Sequence, residues 1–195
     1  MDTVLAVTLG YLVGSVPFAF LLARRRGIDL RRAGSGNVGA ANVFRTSGAA
    51  DAVTAFCLDA MKGALAVFIA QRVTTEPTAP VAAGFAAVIA HIHPVWLGFR
   101  GGKGVATAAG AFALLSPGAV MIAAGVFVAA VWMTRFVSVG SISAAVTLAA
   151  ATAAGDWPVS VVVGAAGTAL IIVYRHRGNL TRVIAGTERR IGQRA

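Results

Sequence analysis

Residues 105–134 read VATAAGAFALLSPGAVMIAAGVFVAAVWMT and contain no charged side chain. A helix needs about 20 apolar residues to cross the hydrocarbon core of a membrane, so this stretch is too long for one straight crossing. Pro117 divides it, because proline fits the first turn of a helix but interrupts a helix interior. The stretch therefore predicts two helices, over 105–115 and 117–134, and the first has the length of a buried or re-entrant segment.

The rest of the chain has the same apolar character. Hydrophobic residues make up 57% of the 195 residues and charged residues 12%, with a mean hydropathy of +0.79. A water-soluble fold of this size could not bury so much apolar surface. Further spans are predicted over residues 3–23, 51–71, 80–97, 138–154 and 158–174. We therefore predict an all-α polytopic membrane protein with about seven transmembrane helices, built as a single domain over residues 1–195.

The positive charge is concentrated beside the apolar runs. The chain has 17 Lys+Arg and 7 Asp+Glu, a net charge of +10, which in a soluble protein would suggest a nucleic-acid partner. Here the basic residues fall mainly in segments 24–45, 100–103 and 175–194, where such charges orient helices and attract anionic lipids. We expect membrane lipids as partners and no nucleic acid. If these three segments are cytoplasmic, we expect the N-terminus outside and the C-terminus in the cytoplasm. The chain must then cross the membrane an even number of times between any two of the segments. That requirement favours the division at Pro117, which gives four crossings after segment 100–103 where one long helix would give three.

The first basic segment contains a glycine-rich loop. It reads Gly34-Ser35-Gly36-Asn37-Val38-Gly39 and is followed by Asn42 and Arg45. Glycines let backbone N–H groups converge on an anion, and arginine offers a fork of donors to phosphate. Small residues also let membrane helices pack closely. The pattern alone is therefore equally compatible with a phosphate cradle and with helix packing.

The second basic segment is also rich in glycine and reads Arg100-Gly101-Gly102-Lys103-Gly104. A lysine among glycines at the start of a helix makes a local anion site, because the ammonium group and the helix N-terminus act together. The loop lacks the Gly-x-x-x-x-Gly-Lys-[Ser/Thr] pattern, so nucleotide hydrolysis is not predicted. The alternative is that Arg100 and Lys103 only anchor the helix at the membrane interface.

Polar residues also occur within or just after the apolar runs. Asp59 and Lys62 lie three residues apart in a predicted span, where an isolated charge is costly, so we predict an ion pair. In the basic tail, His176 and Asn179 would fall on one side of a helical turn and could donate to the same ligand. A basic tail that binds anionic lipid would explain the arginines there but not these two residues.

No metal site is predicted. His91 and His93 would point to different sides of a helix, and neither has a carboxylate or cysteine nearby in sequence. We expect them to have a structural role at the helix end before Pro94. Cys57 is the single cysteine, so it forms neither an intrachain disulfide nor a metal cluster.

These motifs occur in the order of a known family. They are Gly14-Ser15-Val16-Pro17, Gly34-Ser35-Gly36-Asn37 through Arg45, Asp59-Ala60-Met61-Lys62-Gly63, His91 to Pro94 followed by Gly101-Gly102-Lys103-Gly104-Val105-Ala106-Thr107, Ser138 to Ser141, and His176-Arg177-Gly178-Asn179 to Gly186-Thr187-Glu188. Over nearly its whole length the chain resembles the bacterial acyl-phosphate:glycerol-3-phosphate acyltransferase family, the PlsY type. Such enzymes transfer an acyl group from acyl phosphate to glycerol 3-phosphate, giving lysophosphatidic acid and phosphate.

The resemblance implies a set of site residues. Those implied to line the substrate site are Ser35, Arg45, Lys103, Ser141, His176 and Asn179, with Asn37, Asn42 and Gly102 supporting the phosphate-binding loops. It also implies seven helices in a bacterial inner membrane and an active site that faces the cytoplasm. The chain departs from the family pattern at Ala41, where threonine is usual, at Ala90, where glycine is usual, and at His93, where an aromatic residue is common.

Acyl phosphate is already activated, so the enzyme would only have to position the substrates and stabilise charge. We expect Lys103 and the glycine N–H groups of its loop to hold the donor phosphate, without a cofactor or a metal. Residues expected to hold glycerol 3-phosphate are Arg45, Ser35, His176 and Asn179. The proton would leave on phosphate, with His176 as the competing base. A transporter of phosphate or an organophosphate is the main alternative, although its site would lie near the membrane midplane.

Overall fold

The computed structural model describes residues 2–192, and helix is the only regular secondary structure in that range. The helices are α1 (Asp2–Ser15), α2 (Phe18–Arg25), α3 (Ala40–Ser47), α4 (Ala49–Val73), α5 (Ala79–Ile92), α6 (Val105–Leu115), α7 (Pro117–Thr134), α8 (Val137–Ala154), α9 (Val159–Arg175) and α10 (Arg177–Ile184), with a 3-10 turn at Val95–Leu97. The division at Pro117 is confirmed, because α7 begins there and Ser116 separates it from α6.

The apolar helices have the lengths that a membrane requires. Five helical segments are long and apolar enough to cross one: Asp2–Arg25, Ala49–Val73, Ala79–Leu97, Pro117–Thr134 and Val137–Ala154. A sixth results if α9 and α10, which are bent by 51° relative to each other, form one span. With 11 residues, α6 is shorter than a span. The prediction of an all-α membrane protein is confirmed, whereas the count of seven and the orientation of the termini stay predictions.

The first predicted span is not one continuous helix. Val16 and Pro17 separate α1 from α2, because proline has no N–H to continue the hydrogen-bond ladder. The Val16 carbonyl accepts a hydrogen bond of 2.8 Å from Nζ of Lys62. Beside it, Oγ of Ser15 accepts one of 2.8 Å from Nε1 of Trp96. Side chains from elsewhere in the chain thus satisfy polar groups at the break.

The helices form two compact units, one ending at Leu114 and one beginning at Leu115. The single domain over residues 1–195 therefore stays a prediction. In the first unit α1, α4 and α5 pack against one another, and α6 lies close to α4. A methyl group on Gly63 would collide with the Thr107 carbonyl, and one on Gly110 with the Ala60 carbonyl. Glycine at both positions is what lets the two backbones approach this closely.

The second unit is built around α8, which packs against both α7 and α9. The segment after α10 returns to the start of α8, where the Ile191 N–H donates to the Arg135 carbonyl at 2.8 Å. The Arg190 guanidinium lies 5.4 Å from the centre of the Phe136 ring. The basic tail is therefore folded onto its own unit over the described residues.

Candidate active site

The first glycine loop is organised by the side chain of Asn42. This amide is buried, and its Nδ2 donates to the carbonyls of Leu30, Ala33 and Asn37 at 3.1, 3.0 and 2.9 Å. Its Oδ1 accepts the N–H of Ser35 at 2.8 Å. Four backbone groups that are distant from Asn42 in sequence are thereby fixed. Asn42 consequently holds the loop in shape, while Ser35 lies on its exposed side.

Arg45 is placed by the short helix α3. The helix is anchored by Val43, which belongs to a buried apolar cluster with Leu30 and Val38 among its members. Arg45 lies in the last turn of α3, half-buried and three residues after Asn42. Residues three apart are neighbours on a helix. The sequence thus brings Arg45 to the same side of α3 as the residue that organises the glycine loop.

The second glycine loop folds back on the end of α5. The Gly101 N–H donates to the Ile92 carbonyl at 3.0 Å, and the Gly102 N–H donates to the His91 carbonyl at 3.1 Å. Both N–H groups thus already donate to α5, and the expectation that glycine N–H groups of this loop hold a phosphate stays a prediction. Lys103 follows, half-buried, two residues before α6 begins.

Gly102 also has a packing role. A methyl group there would collide with Nε2 of the His91 ring, so the absence of a side chain lets the imidazole lie against the loop. His91 in turn faces a carboxylate that is far away in sequence, since its Nδ1 lies 3.6 Å from Oδ1 of Asp59. The predicted ion pair between Asp59 and Lys62 is confirmed, with Nζ and Oδ1 2.8 Å apart.

In the second unit, His176 lies at the bend between α9 and α10. Its ring is buried, and Nδ1 is 2.8 Å from the Ile172 carbonyl. A carbonyl oxygen can only accept, so this contact places a proton on Nδ1. Ser141 is also buried, on α8, and its hydroxyl donates to the Val137 carbonyl at 2.9 Å. Both side chains are therefore tied to their own helices.

Glu188 is a residue that sequence reasoning did not assign to the site. It is buried and accepts hydrogen bonds from Asn179 Nδ2 at 2.6 Å, Arg182 Nε at 2.7 Å and Ser138 Oγ at 3.0 Å. Burial raises the pKa of Glu188, but the hydrogen bonds from Asn179, Arg182 and Ser138 outweigh it and hold the pKa below its ordinary value. The carboxylate thus links α8, α10 and the tail. Its position in the Gly186-Thr187-Glu188 motif was the available signal.

The structure therefore divides the predicted residues between two units. The first contains Ser35, Asn37, Asn42, Arg45, Gly102 and Lys103, and the second contains Ser141, His176 and Asn179. In the first unit, hydrogen bonds join Ser35 and Asn37 to Asn42. In the second unit, Asn179 is joined to Ser138 on α8 through Glu188. Among the described residues no three His, Cys, Asp or Glu side chains are grouped so that they could hold a metal ion.

The chain is similar to known proteins over almost its full length. A sequence model described as glycerol-3-phosphate acyltransferase matches residues 4–186. The glycerol-3-phosphate acyltransferase of Myxococcus xanthus (strain DK1622) is 46% identical over 186 residues, covering 94% of this chain and 97% of that protein. The enzyme of the same name from Syntrophomonas wolfei subsp. wolfei is 44% identical over 196 residues, covering 100% of both chains.

Two solved structures share the fold. The crystal structure of PlsY (YgiH), an integral membrane glycerol 3-phosphate acyltransferase, in its glycerol 3-phosphate form has a TM-score of 0.94 and 37% sequence identity, covering 98% of this chain and 96% of that one. Its lysophosphatidic acid form has a TM-score of 0.92 and 36% identity over the same shares. At this identity the likeness extends to sequence as well as to fold.

Proposed function

The chain belongs to the glycerol-3-phosphate acyltransferase family of the PlsY type, and from this membership we propose that acyl phosphate is its donor. The reaction breaks the bond between the acyl carbon and a phosphate oxygen. It forms an ester between that carbon and the primary hydroxyl oxygen of glycerol 3-phosphate. The hydroxyl proton passes to the released phosphate. The products are 1-acyl-glycerol 3-phosphate, which is lysophosphatidic acid, and inorganic phosphate.

One observation carries the acceptor and the product in this proposal. The solved PlsY structures that match 98% of this chain are a glycerol 3-phosphate form and a lysophosphatidic acid form. Acylation of the first compound gives the second. Both compounds carry a phosphate, as acyl phosphate does, and the loops of this chain offer cationic side chains to such groups at Arg45 and Lys103.

The donor phosphate is assigned to Lys103. Its ammonium would neutralise the phosphate as negative charge grows on the leaving group, a differential interaction that lowers the barrier. Two hydrogen bonds to the end of α5 fix the loop backbone just before Lys103. Ser35, on the exposed side of the first loop, would supply a hydroxyl donor near the reacting groups.

The acceptor phosphate is assigned to Arg45 of the first unit. The Arg45 guanidinium would bind the glycerol 3-phosphate phosphate with two parallel hydrogen bonds. From family membership we also propose a substrate-binding role for His176, Asn179 and Ser141 of the second unit. In the neutral form of His176 with its proton on Nδ1, Nε2 would accept a hydrogen bond from the hydroxyl. Transfer of the proton to phosphate needs no side-chain base.

We place the protein in the bacterial inner membrane with its reaction at the cytoplasmic face. The glycine loops and the tail carry most of the basic residues, and such segments remain on the cytoplasmic side in multi-pass proteins. Both substrates are anionic and one is a small water-soluble phosphate. A site beside the basic loops would attract them by long-range electrostatics.

A donor comparison tests the proposal. Purified protein in one detergent is incubated with glycerol 3-phosphate and either palmitoyl phosphate or palmitoyl-CoA, each with and without excess EDTA, and lysophosphatidic acid is measured. Palmitoyl phosphate should support full activity in EDTA, because the two loops provide lysine, arginine, serine and asparagine but no carboxylate to bind Mg²⁺. Palmitoyl-CoA should support little activity. A preference for the thioester would reject the donor, and Mg²⁺-dependent activity would reject neutralisation by the protein alone.

A further inference from the structure

A buried chain of polar contacts runs through the first unit. Lys62 Nζ donates to the Val16 carbonyl at the break between α1 and α2, and it lies 2.8 Å from Oδ1 of Asp59. That same oxygen is 3.6 Å from Nδ1 of His91 on α5. The exposed fractions of Asp59, Lys62 and His91 are 1%, 3% and 8%. We call these three residues the buried cluster.

One end of the buried cluster touches the second glycine loop. The His91 ring occupies the space that a side chain at Gly102 would need. The His91 carbonyl accepts the Gly102 N–H at 3.1 Å. Side chain and backbone of His91 therefore both contact the residue next to Lys103. A rotation of the imidazole would press on Gly102 and displace the loop.

The other side of the loop is fixed by the same helix that carries Asp59. Two residues after Lys103 the chain enters α6, which lies against α4 through the close contacts at Gly63 and Gly110. Lys62 and Asp59 are on the buried side of α4 beside Gly63. The loop is thus held at its start by α5 through His91 and at its end by α4.

We propose that the buried cluster positions Lys103, and this inference rests on the proposed function, in which Lys103 holds the donor phosphate. Asp59 fixes the orientation of the His91 ring, the ring fixes Gly102, and Gly102 sets the direction in which the lysine leaves the loop. Lys62 balances the charge of Asp59 and ties it to the break in the first span. The residues act through the loop and need not touch substrate.

Stability alone is a weak reason for such a cluster. Taking two charges out of water is costly, and replacing a buried ion pair by apolar residues of similar volume is often neutral or stabilising. Leu and Met at these positions would also suit a membrane interior. A carboxylate that orients an imidazole, by contrast, gives a directional support that apolar packing does not provide.

The decisive variant combines Asp59→Leu with Lys62→Met, because it removes both charges and leaves neither buried alone. The folded protein should keep its melting temperature in detergent. Its KM for palmitoyl phosphate should rise about tenfold through misplacement of Lys103. Its KM for glycerol 3-phosphate should stay within about twofold, since Arg45 is placed by α3 and not by the loop that carries Lys103. A lower kcat with both KM values unchanged would mean a structural role only and would overturn the proposal.

A second variant covers the case in which the double substitution does not fold. His91→Phe keeps a ring against Gly102 but removes the nitrogen that faces Asp59, and it should raise the same KM selectively. In a protein that already carries Lys103→Arg, which keeps a cation, His91→Phe should raise the KM for palmitoyl phosphate by a smaller factor than it does in the wild type. The reason is that both changes act on one contact. Additive effects would contradict a path through Lys103.

The matched control is Asp51→Asn on the same helix. Asp51 lies in the first turn of α4 and accepts a hydrogen bond of 2.9 Å from exposed Arg26, so its KM values should equal those of the wild type. The two proposals also fail in different ways. Wild-type protein that does not use palmitoyl phosphate contradicts the proposed function. Active wild-type protein with unshifted KM values in the variants contradicts positioning by the buried cluster.

Discussion

At the scale of single residues, Lys103 carries the strongest prediction. Lys103→Met should lower acyl transfer by at least about a hundredfold, the size of the loss when one group that stabilises transition-state charge is removed. The variant should stay folded, because methionine keeps an apolar stem of similar length. Activity is measured as lysophosphatidic acid formed, and folding as elution from a sizing column. Turnover near that of the wild type would show that Lys103 is an interface anchor.

Arg45 tests the acceptor side of the reaction. Arg45→Lys should raise the KM for glycerol 3-phosphate about tenfold, because a point charge cannot reproduce two parallel hydrogen bonds to phosphate. The KM for palmitoyl phosphate should remain close to that of the wild type. Saturation curves for each substrate at a fixed excess of the other give both constants. An equal rise in both would contradict the separate assignment of Arg45 and Lys103.

Residue types could be predicted to matter from the sequence, but several of their contacts could not. Glycine, lysine and arginine in one loop predict an anion site, with helix packing or anchoring at the membrane interface as the alternative. That Asn42 holds four backbone groups depends on how the chain between Leu30 and Asn42 turns back. The hydrogen bond from the Gly102 N–H to the His91 carbonyl likewise depends on how the loop folds back on α5. The contact of His91 with Asp59 joins two helices, and no local spacing reveals it.

At the scale of elements, Glu188 fastens the tail to α8 and α10. Glu188→Gln should lower the free energy of unfolding by about 1–3 kcal/mol, because the amide nitrogen that replaces one carboxylate oxygen would face the Arg182 donor. The melting temperature in detergent should fall accordingly at neutral pH.

The folded protein holds the pKa of Glu188 below its unfolded value. Its contribution is therefore present above the unfolded pKa, about 4.3, and lost as the pH falls through the folded value.

The pH dependence separates this charge from ordinary packing. Wild-type protein should lose melting temperature on acidification below about pH 4, and the Glu188→Gln variant should lose less over the same range. Thermal scans of both proteins across that range provide the comparison. If the melting temperatures of the two proteins fell in parallel with pH, the Glu188 carboxylate would not be the group whose titration lowers stability.

The contact between α4 and α6 provides a second prediction for elements. Gly110→Val should prevent the close approach to Ala60 and lower both the melting temperature and the activity, since the branched side chain has no space there. Gly125→Ala is the control, because an added methyl group on α7 meets nothing within 4 Å and alanine favours helix over glycine. If both variants behave like the wild type, the close backbone contact is not required.

Helix positions followed from the sequence wherever an apolar run was bounded by charge or proline. The start of α7 at Pro117 is one such case. The break at Val16 and Pro17 was missed, because an apolar run continues through it and its polar groups are satisfied by Lys62 and Trp96 from distant segments. Tertiary hydrogen bonds of that kind leave no trace in local composition.

At the scale of the whole molecule, composition and the order of motifs were enough to predict the class and the family. Charge and hydropathy restrict a chain of this kind to helices in a membrane, and a set of motifs in fixed order identifies a family better than any single loop. The division into units at Leu115 was not predicted, because it depends on how helices pack. The number of spans is likewise not decided by composition, since α6 is short and α9 is bent against α10.

Cys57 is the single cysteine of the chain and lies on the exposed side of α4, about 12 Å along the helix axis from Ala49 at 1.5 Å per residue. A nitroxide attached to its thiol would therefore report how deeply this part of α4 lies in the bilayer, and no cysteine would have to be introduced. In lipid bilayers its spin relaxation should respond strongly to dissolved oxygen, which concentrates in hydrocarbon, and weakly to a water-soluble nickel chelate. The reverse response would mean that this part of α4 is outside the hydrocarbon.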